Sequence, residues 1–541
     1  MIKTRNVVDY IYPTRIVAAS EGVKNQESLL KHKTLAVSLS DTDFMLLGPK
    51  QSITLDFGKE YSAGLRLITI FIKDGEGPNY NKCLIKIRFG ESVCETLAEI
   101  GYKDSTNDHY PRVFEQLIPF LSDISVGHSG FRFARIDNLD DKKTICFKQI
   151  VLEYQHLDVE EVSRFRCNDE MVNKIYDYSL RTAYMCGQNG FIYDGIKRDR
   201  LVWCGDMGVE VKTYLETYGD LDVIRNSLDF CEEGYPLPQW VNNMPTYSLW
   251  WLLNAYEYYL YSKDIEWLKR KASFIKGTTE KFLECIDKDG NVKIGDDNPF
   301  VYFIDWPSSE SIDTKAAAIG LMKMTLEKSI YLFKELGFDT NNIEKSLQIL
   351  KKIKMSDSAL KGLLALQELA FNEGLGEELV KDDDEKMSTF MAYHIFKAMA
   401  HAKKNEDAVR IMKLYYGKMV NKGATTFFED FQPEWADNTV GVDEMPFENR
   451  KWMHGDFGRF CYPGLRLSLC HGWASGPAPF LIEEVAGLSL VDDNVVRFSP
   501  NLSGLEFVEA SIMTKYGPVY VEINKDGKKV VSKPKEVRIV D

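Results

Sequence analysis
The apolar residues of this chain change their spacing twice, near residue 160 and again near residue 480, and these changes fix most of what it can fold into. Up to about residue 160 the spacing is two. "SITLDFGKE" sets Ile53, Leu55 and Phe57 against polar neighbours, and "LRLITIFIKDGEG", "CLIKIRFGES" and "TICFKQIVLEYQHL" keep the alternation. Phe131, Phe133 and Ile136 continue it in "GHSGFRFARIDNLDD". Short strands at this interval predict an N-terminal antiparallel β-sandwich over residues 1–162. From about 165 the spacing turns helical. "NDEMVNKIYDYSLRTAYMCGQNG" opens on a cap at Asn168 or Asp169 and closes on Gly187 and Gly190. "TYSLWWLLNAYEYYLYSKDIEWLKR", "DTKAAAIGLMKMTLEKSIYLFKELGF" and "KMSTFMAYHIFKAMAHAKKNEDAVRIMKLYYGKMV" read as further amphipathic helices or hairpins. Helical pairs in this number suit a closed toroid or an open solenoid, and the lack of a repeated motif counts against the solenoid. After about 480 the strands return, with "KYGPVYVEINKDGKKVVS" as two strands joined at Lys525, Asp526 and Gly527.

A chain of 541 residues exceeds one ordinary core, so several domains are expected: 1–162, 163–480 and 481–541. Its net charge of −14 argues against nucleic acid or an anionic membrane as partner. The opening "MIKTRNVVDYIYPTRIVAAS" breaks its apolar residues with Lys3, Arg5, Asp9 and Arg15, unlike a signal peptide. No run approaches a membrane span, so a cytoplasmic location is expected. The ten Cys lack CxxC spacing, which predicts free thiols. The eight His form no HxH or HExxH pair, and no metal is expected. No phosphate loop, dinucleotide-binding glycine set or GxSxG elbow appears, so no cofactor is expected. A homo-oligomer stays open.

The segment "DGIKRDRLVWCGDM", from Asp194 to Met207, is charged yet built around Leu201, Val202 and Trp203. It reads as a buried charged loop, an arrangement that costs free energy and needs a functional reason. All nine Trp lie between Trp203 and Trp473. Trp250, Trp251 and Trp267 have helical spacing and read as core. Trp203, Trp240, Trp306, Trp435 and Trp473 sit in loops and suggest a shared aromatic cleft, since an indole face suits the C–H side of a sugar. Carboxylates stand beside them: Asp199 and Asp206 around Trp203, Asp305 before Trp306, and Glu429, Asp430 and Glu434 in "GATTFFEDFQPEW". His471 lies two before Trp473. Each acid alone is more often a cap or an ion-pair partner. Together with the aromatics they match glycosidic bond cleavage, where one carboxyl protonates the leaving oxygen and another activates water or attacks the anomeric carbon.

These motifs resemble glycoside hydrolase family 78, the α-L-rhamnosidases. "DGIKRDRLVWCGDM" resembles the family's signature loop, "GATTFFEDF" its Gly-Ala-Thr-Thr-x-aromatic-Glu segment, and "HGDFGRFCYPGLRLSLCHGWASGPAPFL" the last helical hairpin of its barrel. "FSPNLSGLEFVEASIMTKYGPVYVEI" looks like its terminal β domain. The resemblance covers about residues 165–541 well and the N-terminal part loosely. It implies a multidomain fold: a central all-α (α/α)6 barrel with an N-terminal antiparallel β-sandwich and a small C-terminal β domain. It also implies removal of terminal α-L-rhamnosyl residues from a rhamnose-containing glycoside or oligosaccharide, with inversion. By residue match Asp199 takes the general-acid position, where many members carry Glu, and Glu429 takes that of the base. Phe428 stands where Trp is frequent. Asp194 and Asp206 match positions that hold sugar hydroxyls. Arg198, Trp203, Trp240, Asp305, Trp306, His471 and Trp473 complete the expected substrate-binding set. If the loop is extended near 199, Arg198 and Arg200 point to one side, where they neutralise the acids, and Asp199 points to the other. Burial and the nearby Asp194 are then expected to raise the pKa of Asp199. The alternatives are an exo-glycosidase of the same barrel acting on a different terminal sugar, or a catalytically inactive sugar-binding relative.

Overall fold
The computed structural model describes residues 6–74, 77–79, 81–159, 164–197, 200–219, 222–294, 301–309, 311, 313–351, 358–458 and 462–541. Arg198 and Asp199 lie outside the described residues.

The N-terminal part is one antiparallel sheet of nine strands, dominated by the long strands Ser52–Asp74, Ser122–Asn138 and Lys143–Leu157. The alternation predicted two strands where Ser52–Asp74 is continuous. Gly58 accounts for the difference. Its φ of 85° is a left-handed value open to glycine, and its N–H donates to Asp56 Oδ1 at 2.7 Å. Pairing with Ser122–Asn138 shifts register between Asp56 and Tyr61 and again between Ala63 and Leu65. Gly58 therefore sits at a bulge that bends a single strand.

One side of this sheet encloses its own apolar core, including Ile53, Leu55, Phe57, Ile136 and Leu152. The alternate positions are not solvated: Thr54, Asp56 and Arg132 are buried as well. Arg132 donates to both Asp56 oxygens, at 2.8 and 2.9 Å, and to the carbonyl of Gly423 at 3.0 Å. The polar stripe of the strands is thus an ion-paired seam against the helical region. Burial of these charges is tolerable because each is paired and hydrogen-bonded.

The helical region begins as its sequence requires. Asp169 Oδ1 accepts from the N–H groups of Met171 and Val172, and helix Glu170–Cys186 ends at Gly187. Met207–Thr217 packs on Pro245–Ser262, which packs on Thr314–Glu335, followed in contact by Lys361–Phe371 and Ala392–His401. Pro477–Phe480 touches both Ala392–His401 and Met207–Thr217, so the series returns to its start. Helices Glu170–Cys186, Asp222–Gly234, Ile265–Glu284, Asn341–Leu350, Gly376–Val380 and Asn405–Asn421 alternate with these along the chain. Trp250, Trp251 and Trp267 are core, as their spacing predicted. The segment expected as a last helical hairpin is different. Its described residues form two short 3-10 turns, Gly464–Arg466 and Gly472–Ser475, before Pro477–Phe480. Pro463, Gly464, Gly472 and Gly476 interrupt helical hydrogen bonding there, and the resulting strap supplies backbone groups to the site.

The C-terminal part holds two sheets. Leu488–Asp492, Val495–Phe498 and Arg538–Val540 form one. Phe507–Ile512, Val519–Asn524 and Gly527–Ser532 form the other, with the expected turn at Lys525 and Asp526. The strand Phe165–Cys167, from just before the first long helix, joins this second sheet beside Phe507–Ile512. Val508, Ile512 and Val521 belong to the same apolar core as the helices, whereas the N-terminal sheet keeps a separate one. Among the described residues no helix is long and apolar enough to cross a membrane, and the described cysteines are free thiols.

Candidate active site
Three segments, distant in sequence, are laced together by their backbones. The first is the loop that opens at Asp194. Asp194 N–H donates to Leu201 O at 2.9 Å, and Leu201 N–H returns a bond to Asp194 Oδ1 at 2.9 Å. Gly195 N–H also donates to Asp194 Oδ1, at 2.8 Å. Residues 194 and 201 therefore form the neck of a tight loop. One oxygen of Asp194, expected to grip a sugar hydroxyl, is committed to closing that neck. The second segment is the strap 426–430. The third is 468–473, which bonds both others: Gly472 N–H donates to Asp194 O at 2.7 Å, His471 N–H to Phe427 O at 3.0 Å, and Glu429 N–H to Ser468 O at 3.0 Å.

This lacing brings Asp194, Asp206, Glu429 and His471 together, all buried. His471 Nε2 stands 3.9 Å from Asp206 Oδ2 and 3.9 Å from Glu429 Oε1. Ligand atoms of Asp194, Asp206 and His471 fall within 4.8 Å of one another. Glu429 is fixed at several points. Its Oε2 accepts from Ser468 N–H at 3.1 Å. Its carbonyl accepts from Thr389 Oγ1 at 2.7 Å and from Trp473 Nε1 at 2.9 Å. Asp206 precedes helix Met207–Thr217, where the helix dipole favours a negative charge. Tyr247 O–H donates to its Oδ1 at 2.7 Å. Burial nevertheless pushes the Asp206 carboxyl well above its ordinary range, and Asp194 and Glu429 add to the effect. Glu210, one turn along the same helix, is raised by burial and then by Asp206 and Asp194. Asp430 is pushed up to about 7, first by burial and further by Glu429. The pocket therefore concentrates acids with too little solvent to ionise them all.

Asp305, Trp306, Ser388, Thr389, Glu429, Asp430 and Trp473 line one cavity. Asp305 is held there by Ser308 N–H at 3.0 Å and Ser388 Oγ at 2.5 Å. Trp473 stacks on Phe390 at 4.9 Å and lies 4.0 Å from the His471 ring. Trp306 meets Phe303 edge-on. Trp203 stands edge-on to Tyr247, the partner of Asp206, at 6.1 Å. Trp240 has other company: it packs on Phe282 at 4.9 Å with the Lys281 ammonium over its ring. Trp435 stacks on Phe457.

Arg200 departs from the expected extended alternation. Its φ is 58°, a left-handed conformation, and its guanidinium lies over Tyr110 of the N-terminal part, 5.1 Å from the ring centre. The left-handed turn at Arg200 thus commits its guanidinium to Tyr110, in place of the neutralising role expected for it. Tyr247, Ser388, Thr389 and Ser468 went unread in the sequence. Each is an ordinary hydroxyl or backbone donor whose role comes from a partner far along the chain.

Residues 160–336 match the family model of the bacterial α-L-rhamnosidase six-hairpin glycosidase domain. Over these residues the chain is similar to that domain. The likeness in fold extends well beyond the matched segment. A family 78 rhamnosidase of Bacillus sp. GL1 superposes with a TM-score of 0.71 at 17% identity, over 92% of this chain and 54% of the Bacillus chain. The chain thus spans about half the length of that relative. A rhamnosidase from Klebsiella oxytoca with rhamnose bound gives 0.67 at 20% identity, over 89% of this chain and 96% of that one. The α-L-rhamnosidase of Streptomyces avermitilis complexed with L-rhamnose gives 0.67 at 12% identity, over 97% and 48%. No curated protein matches the chain in sequence.

Proposed function
We propose that this chain is an inverting α-L-rhamnosidase acting on terminal rhamnosyl residues of glycosides or oligosaccharides. The observation that carries the reading is the convergence of Glu429, Asp206 and His471 from separate segments onto one buried point inside a glycosidase domain. In this reading Asp199 protonates the glycosidic oxygen as the bond breaks. Glu429, its Oε2 steadied by Ser468 and its Oε1 turned toward His471, takes a proton from the attacking water on the opposite face of the sugar. Asp206 and His471 hold sugar hydroxyls. Trp306 and Trp473 form an apolar wall that suits the C6 methyl of a 6-deoxy sugar. The six helices in serial contact are the inner ring of an (α/α)6 barrel, and the alternating six are its outer ring. The bent N-terminal sheet is a β-sandwich, and the units divide at about 162 and 480, with strand Phe165–Cys167 lent to the C-terminal sheet.

Hydrolysis of 4-nitrophenyl α-L-rhamnoside tests the reading, with NMR of the first-formed anomer expected to show β-L-rhamnose. Asp199→Asn and Glu429→Gln are each expected to lower kcat by about 10³-fold or more. Full activity in the double variant overturns the assignment. Inactivity on the rhamnoside with turnover of another nitrophenyl glycoside moves the substrate to a different terminal sugar, a reading favoured by Asp199 being one methylene shorter than the usual Glu.

A further inference from the structure
The N-terminal part reaches the loop of the proposed acid directly. Gly130 N–H donates to Ile196 O at 2.8 Å, and Ser129 Oγ donates to Lys197 O at 3.0 Å. The approach excludes a side chain: a Cβ on Gly130 would lie 2.5 Å from Ile196 Cγ1 and 2.8 Å from the Ile196 carbonyl carbon. Below this contact Lys197 is buried among carboxylates that the N-terminal part supplies. Its Nζ is 3.0 Å from Glu91 Oε2 and 3.3 Å from Glu95 Oε1. It also donates to the carbonyls of Leu465 and Leu467. Glu91, Glu95 and His454 approach as closely as ligands of a metal ion, but the Lys197 ammonium already provides the positive charge.

Glu91 uses its oxygens in two directions. Oε2 accepts from Leu469 N–H at 2.7 Å as well as facing Lys197. Oε1 accepts from Ser468 Oγ at 3.3 Å. Ser468 N–H in turn donates to Glu429 Oε2. A single buried carboxylate therefore joins Lys197, two residues before the proposed acid, to Ser468, which steadies the proposed base. We propose that Glu91 is a positioning residue that ties Lys197, in the loop after Asp194, to Ser468 beside the proposed base Glu429, making the N-terminal part an integral component of the site. The kinetic consequence rests on the rhamnosidase reading, and the structural one does not.

The test uses the full chain with Glu91→Ala and Glu91→Gln, and Asp123→Asn as a control on the N-terminal sheet, where the exposed Asp123 pairs with Arg66. Hydrogen exchange is expected to accelerate in segments 194–201 and 465–472 of Glu91→Ala, with helices Pro245–Ser262 and Thr314–Glu335 keeping their protection. On 4-nitrophenyl α-L-rhamnoside, kcat is expected to fall about 100-fold, the scale of a misplaced reacting group, while KM changes by less than about threefold. Glu91→Gln is expected to recover part of the loss, because its amide oxygen still accepts from Leu469. Unchanged exchange in both segments overturns the proposal, as do kinetics equal to those of Asp123→Asn. If the unaltered chain fails to cleave the rhamnoside, the rhamnosidase reading falls and the exchange result decides on Glu91. If Glu91→Ala does not fold, the same measurements on Glu91→Gln decide.

Discussion
Asp430→Asn probes how the pocket handles a carboxylate beside the proposed base. Asp430 is 5% exposed, and burial moves its pKa from an ordinary 3.8 to about 7. The folded chain therefore keeps a proton there across roughly three pH units in which the unfolded chain has lost it, at about 1.4 kcal/mol per unit. The stabilisation is fully present below about pH 4 and is lost as the pH rises through about 7, a total of about 4 kcal/mol. Asn keeps the shape of the protonated acid and never ionises. The variant should therefore gain on the parent chain by about 4 kcal/mol between about pH 4 and pH 8. Urea unfolding followed by tryptophan emission measures this in the relevant region, because all nine Trp lie between Trp203 and Trp473. Groups that titrate alike in both proteins cancel in the difference. A difference that stays flat with pH, or that turns against the variant as pH rises, refutes the argument.

Tyr247→Phe removes the hydroxyl that donates to Asp206 Oδ1. It should raise the Asp206 pKa further and lower kcat/KM on the nitrophenyl rhamnoside about tenfold, and unchanged kinetics would show that this bond is idle. Gly472→Ala places a Cβ 1.8 Å from Glu210 Oε1. A loss of about 1–3 kcal/mol is expected on thermal unfolding, and the second change Glu210→Ala should restore part of it.

Local signals carried far in this sequence. The Asp169 cap, the helix it starts and the hairpin at Lys525 and Asp526 each depend on neighbours a few residues away, and all were legible. The acids of the candidate site were legible as types, because carboxylates beside indoles are unusual in loops. What covers them was not. Asp56 and Arg132 occupy polar positions of two neighbouring half-apolar strands, and alternation alone assigns such positions to solvent. Only the tertiary fold shows them pairing against the helical region. Arg200 was misread because a single left-handed residue breaks the alternation of an extended loop. Trp240 shares the composition of the cleft tryptophans but packs on Phe282 and Lys281, a distinction no spacing rule makes.

The pairing of Phe165–Cys167 with Phe507–Ile512 bears on the birth of the molecule. The early strand leaves the ribosome with one edge bare, and its mate arrives only after nearly all the helices have been made. A nascent chain must carry that unsatisfied edge throughout, together with the apolar helix surfaces that the last strands cover. Such long-range closure is slow and exposed to aggregation. A truncation that removes the final strands should therefore strand the whole helical body in an unfinished state, instead of merely trimming an appendage.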